Sequence, residues 1–446
     1  MVKVITYGTY DLLHQGHINL LRRAKELGDY LIVGVTSDSF DRGRGKLNVR
    51  NNVLERVEAV KATGYADEVI IEDYLGQKID DIQKYDVDIF AIGSDWEGKF
   101  DYLNEYCKVV YLPRTEGISS TILREKSQAI YRIGVIGSGR IAHRFLPETK
   151  VVNGAEVVAV LNPNRIEAES FAKTFNIKAF TDFEPFVDKV DVVYVASPHL
   201  THYDYVKQSL LAGKHVLCEI PFVLSKKEAL ELYRLAEDRD LVLMEASKTA
   251  YCPAFGHIVT LTKSGIIGNV VDVKASLSKM VEPPARELDT EQAGGAMNEH
   301  GPLTLMSIIK LLGIDWNDVS FHTKRENGVD IYTKGVINYP HATSSFTIGI
   351  GVKTEGNLVV SGTRGYVYVP APWWLTDYFE VRYEDQTRNK KYFYSYDGEG
   401  LRYEIQEFLS MIVNNRRSCY KFRRRESVAI AEIIEKYNNG ENVIEI

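Results

Sequence analysis

Tyr7-Gly8-Thr9-Tyr10-Asp11-Leu12-Leu13-His14-Gln15-Gly16-His17 stands between an apolar run, Lys3 to Tyr7, and a segment apolar at helical spacing through Ile18, Leu21, Ala24 and Leu27. Strand, turn and helix in that order open a parallel α/β unit. Gly28 is expected to stop the helix in a left-handed conformation. The turn lies at a helix N-terminus, where free backbone N–H groups and the helix dipole favour anions. His14 and His17 are spaced i and i+3, so both imidazoles face whatever the turn holds. Donating imidazoles there neutralise charge on a phosphoryl group under attack and on a departing pyrophosphate.

Outward from this turn, strand-like runs recur at Tyr30–Val35, Glu68–Ile71, Val87–Ile92 and Lys108–Leu112, with helical patterns between them. The alternation predicts a doubly wound sheet, which carries ligands at the carboxyl ends of its strands. Thr9, Asp95 and Trp96 fall at such ends. So does Pro113 to Thr121, a loop entering a helix with Ser119, Ser120 and Thr121 at capping positions and Arg114 before them. Arg42, Arg44 and Lys46 lie in a glycine-broken loop able to close over the same anion.

Through YGTYDLLHQGH, DWEGKF and RTEGISST, residues 1–126 resemble the bacterial glycerol-3-phosphate cytidylyltransferases. The resemblance implies that His14 and His17 stabilise the transition state at the α-phosphate of CTP, while Lys46 and Arg114 hold phosphates. It further implies that Thr9, Ser119 and Thr121 contact the triphosphate, with Arg44 and Ser120 beside them. Asp95, Trp96 and the loop containing Thr115 place the cytidine. Arg56 sits beside the acceptor phosphate, and Asp11 orients the acceptor or its metal. A magnesium ion enters with CTP, held mostly by phosphates and water, and no metal site belongs to the protein itself. Gln15, Ser94 and Arg44 depart from the family's usual Trp, acid and Lys, and one extra residue stands between Lys46 and Arg56. These departures bear on the acceptor more than on the reaction.

At 446 residues, 45% hydrophobic and 26% charged, the chain has material for two or three cores. A net charge of -7 argues against a nucleic-acid partner, so anions must be met by local cations. The four cysteines lack zinc or disulfide spacing, and no apolar run or leader suits a membrane. A cytoplasmic protein in a reducing compartment is expected.

A second strand-turn-helix begins at Tyr131, with Gly137-Ser138-Gly139-Arg140-Ile141-Ala142 at the turn. This GxGxxA follows a strand, opens a helix and precedes a strand ending at Leu161, which reads as dinucleotide binding. Asn162 ends that strand where an acid would bind the ribose of NAD, and Asn162 with Arg165 leaves NAD and NADP both open. Loops carrying Ser197-Pro198-His199-Leu200-Thr201-His202 and Cys218-Glu219-Ile220-Pro221 follow later strands. From Val270 to about Tyr396 the pattern is that of an open β-sheet packed on helices. Trp373 and Trp374 read as an interface or loop anchor, and Lys421 to Arg425 as a solvated helix start.

Residues 130–446 resemble the Gfo/Idh/MocA oxidoreductases in the GxGxxA turn, in SPHLTH and EIP, and in GGAMNEHGPL. The resemblance implies cofactor contacts from Gly137, Ser138, Gly139, Arg140, Ile141, Asn162, Arg165, Ser197, Pro198, His202, Glu219 and Pro221. The family's proton-transfer lysine is Ile220 here, its aspartate is Glu299, and its histidine is Leu303. Lys248, with Tyr251, Glu299 and His300, is the candidate replacement, a salt bridge to Glu245 or Glu299 being the structural alternative for the lysine. The expectation is an α/β chain: an HxGH nucleotidyltransferase Rossmann-like domain (1–128), a Rossmann dinucleotide-binding domain (129–250) and an α+β open-sheet substrate or oligomerisation domain (251–446). Its expected function is bifunctional: cytidylyl transfer to glycerol phosphate or a related polyol phosphate, and NAD(P)-dependent oxidoreduction of a related polyol or ketose. Teichoic acid or capsule precursors are the expected products, from a homodimer or higher homo-oligomer. The alternative is cytidylyl transfer alone, with the second unit a degenerate cofactor sensor or dimerisation platform.

Overall fold

The computed structural model describes residues 1–43, 49, 51–74, 76–113, 130–394 and 398–446, except the side chains of 39, 42 and 43. The chain divides into two compact units, Met1–Ala129 and Ile130–Ile446. In the first, β1 (Lys3–Gly8), β2 (Tyr30–Thr36), β3 (Glu68–Glu72), β4 (Ile89–Gly93) and β5 (Lys108–Leu112) form a parallel sheet ordered β3-β2-β1-β4-β5. These runs are apolar on both faces because helices cover both. Val4, Leu31 and Val33 pack with Leu21, Ala24 and Val60 on one side, and Ile5, Ile32 and Phe90 with Ile82 and Leu103 on the other. The order reverses direction at β1, so the turn after β1 and the loop after β4 flank one crevice.

Gly28 does not supply the left-handed stop. Helix Gln15–Lys25 ends at Glu26 in right-handed geometry, and Gly28 is needed because a Cβ there would lie 2.6 Å from the Val2 carbonyl oxygen.

The second unit opens with β6 (Tyr131–Ile136), β7 (Ala155–Leu161), β8 (Lys178–Phe180), β9 (Val192–Val195), β10 (His215–Glu219) and β11 (Leu243–Ala246), a parallel sheet ordered β11-β10-β9-β6-β7-β8. A larger sheet follows from β12 (Val270–Ser278), β13 (Asp318–Glu326), β14 (Val329–Asn338), β15 (Thr343–Gly349), β16 (Leu358–Gly362), β17 (Tyr366–Val369), β18 (Tyr378–Arg382), β19 (Lys390–Phe393) and β20 (Val443–Glu445). Its order is β19-β18-β17-β16-β12-β15-β14-β13-β20. Helix Ala296–Leu312 covers one face against β12, β14 and β15, which explains the period-two burial of those strands. The expected fold class, a nucleotidyltransferase-type α/β unit followed by a Rossmann sheet and an open-sheet portion, is borne out.

After the large sheet the chain returns to the first one. Helix Leu401–Val413 packs on Arg140–Thr149, and Arg424–Asn438 packs on Lys226–Asp238 and Ala296–Leu312. Trp373 is an internal anchor: fully buried, its indole N–H donates to the Ser276 carbonyl at 2.9 Å. The basic run is only partly solvated. Arg424 does begin a helix, but Lys421 reaches Glu407 at 2.8 Å. Burial alone would raise the Glu407 pKa; Lys421 and Arg416 overcome it and hold the group at about 2.

Candidate functional site

In the first unit Tyr10 (φ 53°) and Leu12 (φ 48°) both take left-handed backbone, which bends the turn tightly after β1. Strain of this kind in non-glycine residues concentrates at ligand sites. The buried Tyr10 ring anchors the bend, with its centroid 5.4 Å from that of His17. His14 is the N-cap of Gln15–Lys25, its Nδ1 accepting from Gly16 N at 3.1 Å. The His14 and His17 rings stack at 3.8 Å with a 17° interplanar angle, so the expected pair is formed at the helix start.

Thr9 and Thr36, at the ends of β1 and β2, donate to the two oxygens of buried Asp41 at 2.8 and 2.6 Å. Asp11 Oδ1 accepts from Asn51 N at 2.9 Å, tying the turn to the segment before helix Val53–Ala62. Arg56 has no exposed side-chain surface. Its guanidinium donates to the carbonyls of Asn51 (2.9 Å), Thr9 (2.7 Å) and Thr36 (2.8 Å), and to Asp38 (2.5 Å) and Asp41 (3.4 Å). The guanidinium expected at the acceptor phosphate thus fastens the site's floor from beneath. Asp95 and Trp96 are exposed at the end of β4, with the Lys99 ammonium 5.2 Å from the indole centroid. Arg44, Lys46, Arg114, Thr115, Ser119, Ser120 and Thr121 lie outside the described residues.

In the second unit a cleft of about 770 Å³ opens over the end of β6, lined by Gly137 to Ile141, Asn162, Ser197, Pro198, Glu219 and Ile220 among others. Gly137 has φ +98°, and a Cβ there would lie 2.5 Å from the Ala196 carbonyl oxygen. Gly139, the N-cap of Arg140–Thr149, would carry a Cβ into open space, which leaves the helix N-terminus accessible to a pyrophosphate. The geometry fits a dinucleotide. Gly137→Ala is expected to weaken dinucleotide binding about 10- to 100-fold through 1–3 kcal/mol of backbone strain, measured by fluorescence titration with NADH and NADPH.

Asn162 Nδ2 donates to Ser138 Oγ (2.6 Å) and Glu167 (2.9 Å), linking the end of β7 to the glycine turn. Arg165 is turned away from this end of the cleft. It is the first residue of helix Arg165–Phe175, its side chain is 80% exposed, and it pairs with Glu169 at 2.7 Å. Glu167 lines the cleft in its place; the sequence reading passed over it because it lies inside the helix rather than at the strand end. His202 lies between the carbonyls of Ser197 and Pro221, 2.8 Å from each, and so fastens two cofactor-side loops together. Pro221 contributes that carbonyl and is not among the cleft-lining residues.

The family's missing lysine and histidine are replaced by apolar groups, Ile220 on the cleft wall and Leu303 in the core. Ionisable groups surround them. His199, also passed over in the sequence, has Nδ1 at 3.6 Å from Glu299 Oε1, which pairs with Arg286 at 2.6 Å. Burial, then the Arg286 charge, holds His199 well below the ordinary imidazole range, and burial raises Glu299. His300 is lowered by burial to about 4.

Glu219 accepts from the Tyr194 hydroxyl, and burial raises its pKa to about 7 against the lowering effects of Tyr194, the Ile220 amide and Lys248. Lys248 makes neither expected salt bridge: its Nζ donates to the Glu399 carbonyl at 2.8 Å, Glu245 is held by Ser427, and Glu299 by Arg286. Its charge acts instead on Glu219 and Glu404. Tyr251 is withdrawn into the core, donating to the Glu245 carbonyl at 2.9 Å.

Residues 5–126 match the cytidylyltransferase-like family, and residues 131–247 match the oxidoreductase family with an NAD-binding Rossmann fold. The first unit is 53% identical over 130 residues to the glycerol-3-phosphate cytidylyltransferase of Bacillus spizizenii, covering 28% of this chain and 96% of that one. The Bacillus subtilis enzyme of the same name is 52% identical over 126 residues, covering 28% and 97%. The trans-1,2-dihydrobenzene-1,2-diol dehydrogenase of Oryctolagus cuniculus is 30% identical over 316 residues, covering 68% of this chain and 96% of its own length. Two solved structures share the fold. A 3-ketoreductase from Actinomadura kijaniata in complex with NADP and TDP-benzene has TM-score 0.64, 21% identity, and covers 71% of this chain and 99% of that one. A levoglucosan dehydrogenase in complex with NADH and levoglucosan has TM-score 0.63, 17% identity, and covers 70% and 97%. The chain is therefore an enzyme that joins two catalytic families, belonging to the cytidylyltransferase-like family through its first unit and to the NAD-binding Rossmann-fold oxidoreductases through its second.

Proposed function

We propose that the first unit transfers CMP from CTP to glycerol phosphate or a closely related polyol phosphate, releasing pyrophosphate. The observation that carries this reading is the stacked His14–His17 pair at a helix N-terminus, over the crevice between β1 and β4. An acceptor phosphate oxygen attacks the α-phosphorus in line; positioning and charge neutralisation by the imidazoles suffice, without a covalent intermediate. Mg²⁺ enters with CTP as part of the substrate. Thr9, Asp11, Arg44, Lys46, Arg56, Asp95, Trp96, Arg114, Thr115, Ser119, Ser120 and Thr121 supply nucleotide and acceptor contacts, directly or by bracing the turn.

The second unit interconverts a ketose phosphate and its polyol with NAD(P). When bound, the dinucleotide supplies or accepts a hydride. Glu167 lines the cleft beside Asn162 at the end of β7, and a carboxylate there would disfavour a 2′-phosphate and supports NAD(H) as the preferred form. Together the activities suit cytoplasmic synthesis of CDP-polyol precursors for teichoic acid or capsule, by a homodimer joined through the face of the large sheet opposite helix Ala296–Leu312. Pyrophosphate release in the presence of glycerol 3-phosphate is expected to be at least about 100-fold faster from CTP than from ATP. NADH oxidation with dihydroxyacetone phosphate tests the second activity. Ile220 and Leu303 favour the competing reading, a dinucleotide-binding platform without turnover, which tight NADH binding with no oxidation by any phosphorylated ketone would support.

A further inference from the structure

The second unit lacks its family's lysine on the cleft wall, yet a buried ionisable cluster stands directly behind that wall. Glu219 is the member that lines the cleft. Behind it, on helix Leu401–Val413, Glu404 has no exposed surface, and among the described residues neither carboxylate oxygen has a hydrogen-bond partner. An uncompensated buried carboxylate is expensive, so such a group exists as the neutral acid. Burial and the Glu219 charge keep the Glu404 proton on. Lys248 is the cation that acts on both carboxyls, and Tyr194 donates to Glu219 from β9. The other charged groups facing the cluster are Glu245 on β11 and Glu148, the latter held by Arg402 at 2.8 Å.

We infer that Glu219 is the proton-transfer group of the oxidoreductase cleft, with Lys248 and Glu404 as positioning residues whose charge states bias its protonation. The inference rests on the reading of the second unit as an active oxidoreductase. In the reducing direction the substrate C=O becomes CH–OH. The carbon gains the hydride that the oxidoreductase activity supplies, the oxygen gains a proton as the Glu219 O–H bond breaks, and the charge of Lys248 favours the carboxylate formed. Glu219 is reprotonated from solvent through the cleft that it lines, while Glu404 stays the neutral acid behind it. Oxidation reverses each step. Glu219 on the wall, backed by the cluster, thus does what a lysine at position 220 would do.

The test uses the full chain, NADH and dihydroxyacetone phosphate. Glu219→Gln, which keeps a hydrogen-bond acceptor for Tyr194, is expected to lower kcat for reduction about 100-fold or more and to remove the pH dependence of the remaining rate near neutrality. Glu219→Asp is expected to restore part of the rate. Reduction needs the protonated carboxyl, so the rate falls as pH rises through the Glu219 pKa. Lys248→Met removes the charge that lowers that pKa, so this alkaline limb moves to higher pH by about one unit or more. Wild type minus Glu404→Gln infrared spectra at neutral pH are expected to contain the carbonyl stretch of a protonated carboxyl. Wild-type turnover with an unaltered kcat in Glu219→Gln, an unmoved limb in Lys248→Met, or no carboxyl band overturns the inference and leaves the oxidoreductase reading standing. No wild-type turnover with any phosphorylated ketone overturns that reading, and the inference with it.

Discussion

Replacement of His17 by alanine is expected to slow CMP transfer about 10²- to 10³-fold, the range for removing one preorganised donor from a transition-state site. His17 is the better probe of the pair. His14 also caps Gln15–Lys25 by accepting from Gly16 N, so its removal mixes a chemical loss with a frayed helix start. A lost cap costs about 1 kcal/mol, and the fraying displaces His17 as well. The His17 ring touches Tyr10 and His14, and its truncation leaves both in place. The expected signature is a fall in kcat with the KM for CTP little changed, because the missing donor acts on charge that develops only as pyrophosphate departs. Steady-state pyrophosphate release at saturating CTP and glycerol 3-phosphate measures it. A His17→Ala protein that transfers CMP at the wild-type rate would remove the mechanism proposed for the first unit.

The second large effect is on stability. Arg56→Met is expected to cost the first unit about 3–5 kcal/mol, because removing one partner of a buried ion pair strands the other. Asp41, fully buried, would lose its guanidinium while keeping the hydroxyls of Thr9 and Thr36, and the carbonyls of Thr9, Thr36 and Asn51 would lose a donor. Hydrogen exchange on the full-length chain separates this from a catalytic effect. Peptides from β1, β2 and helix Val53–Ala62 should lose protection, while peptides from β6 and β9 should not. Pairing Arg56→Met with Asp41→Asn should recover part of the loss, since the stranded charge goes with it.

Both sites were legible in the sequence to the extent that they are local. The turn at Tyr7–His17 and the turn at Gly137–Ala142 each lie within one strand-turn-helix, so spacing alone places the imidazoles and the glycines relative to a helix N-terminus. What stayed hidden depends on partners brought from far along the chain. Arg56 reads as a free cation until Asp38, Asp41 and three carbonyls are folded around it. Lys248 reads as a proton-transfer candidate or a salt-bridged amine until Glu399 and Glu404 arrive, from just before and within helix Leu401–Val413. His199 stood in a quoted motif, but its importance is set by Glu299 and Arg286, which the motif does not contain. Gly28 misled because a glycine after a helix has two explanations, a left-handed stop or a close neighbour, and only the packed Val2 decides between them.

The edge of the large sheet has a consequence for biosynthesis. Among the described strands β13 takes its outer neighbour from β20, and helix Leu401–Val413 packs on Arg140–Thr149 only after the large sheet between them has been made. A ribosome therefore releases everything the first unit needs well before the second can close, an interval of roughly tens of seconds at ordinary elongation rates. From the synthesis of β13 to that of β20, the later part of that interval, β13 exposes an unpaired backbone edge to other nascent chains on the same message.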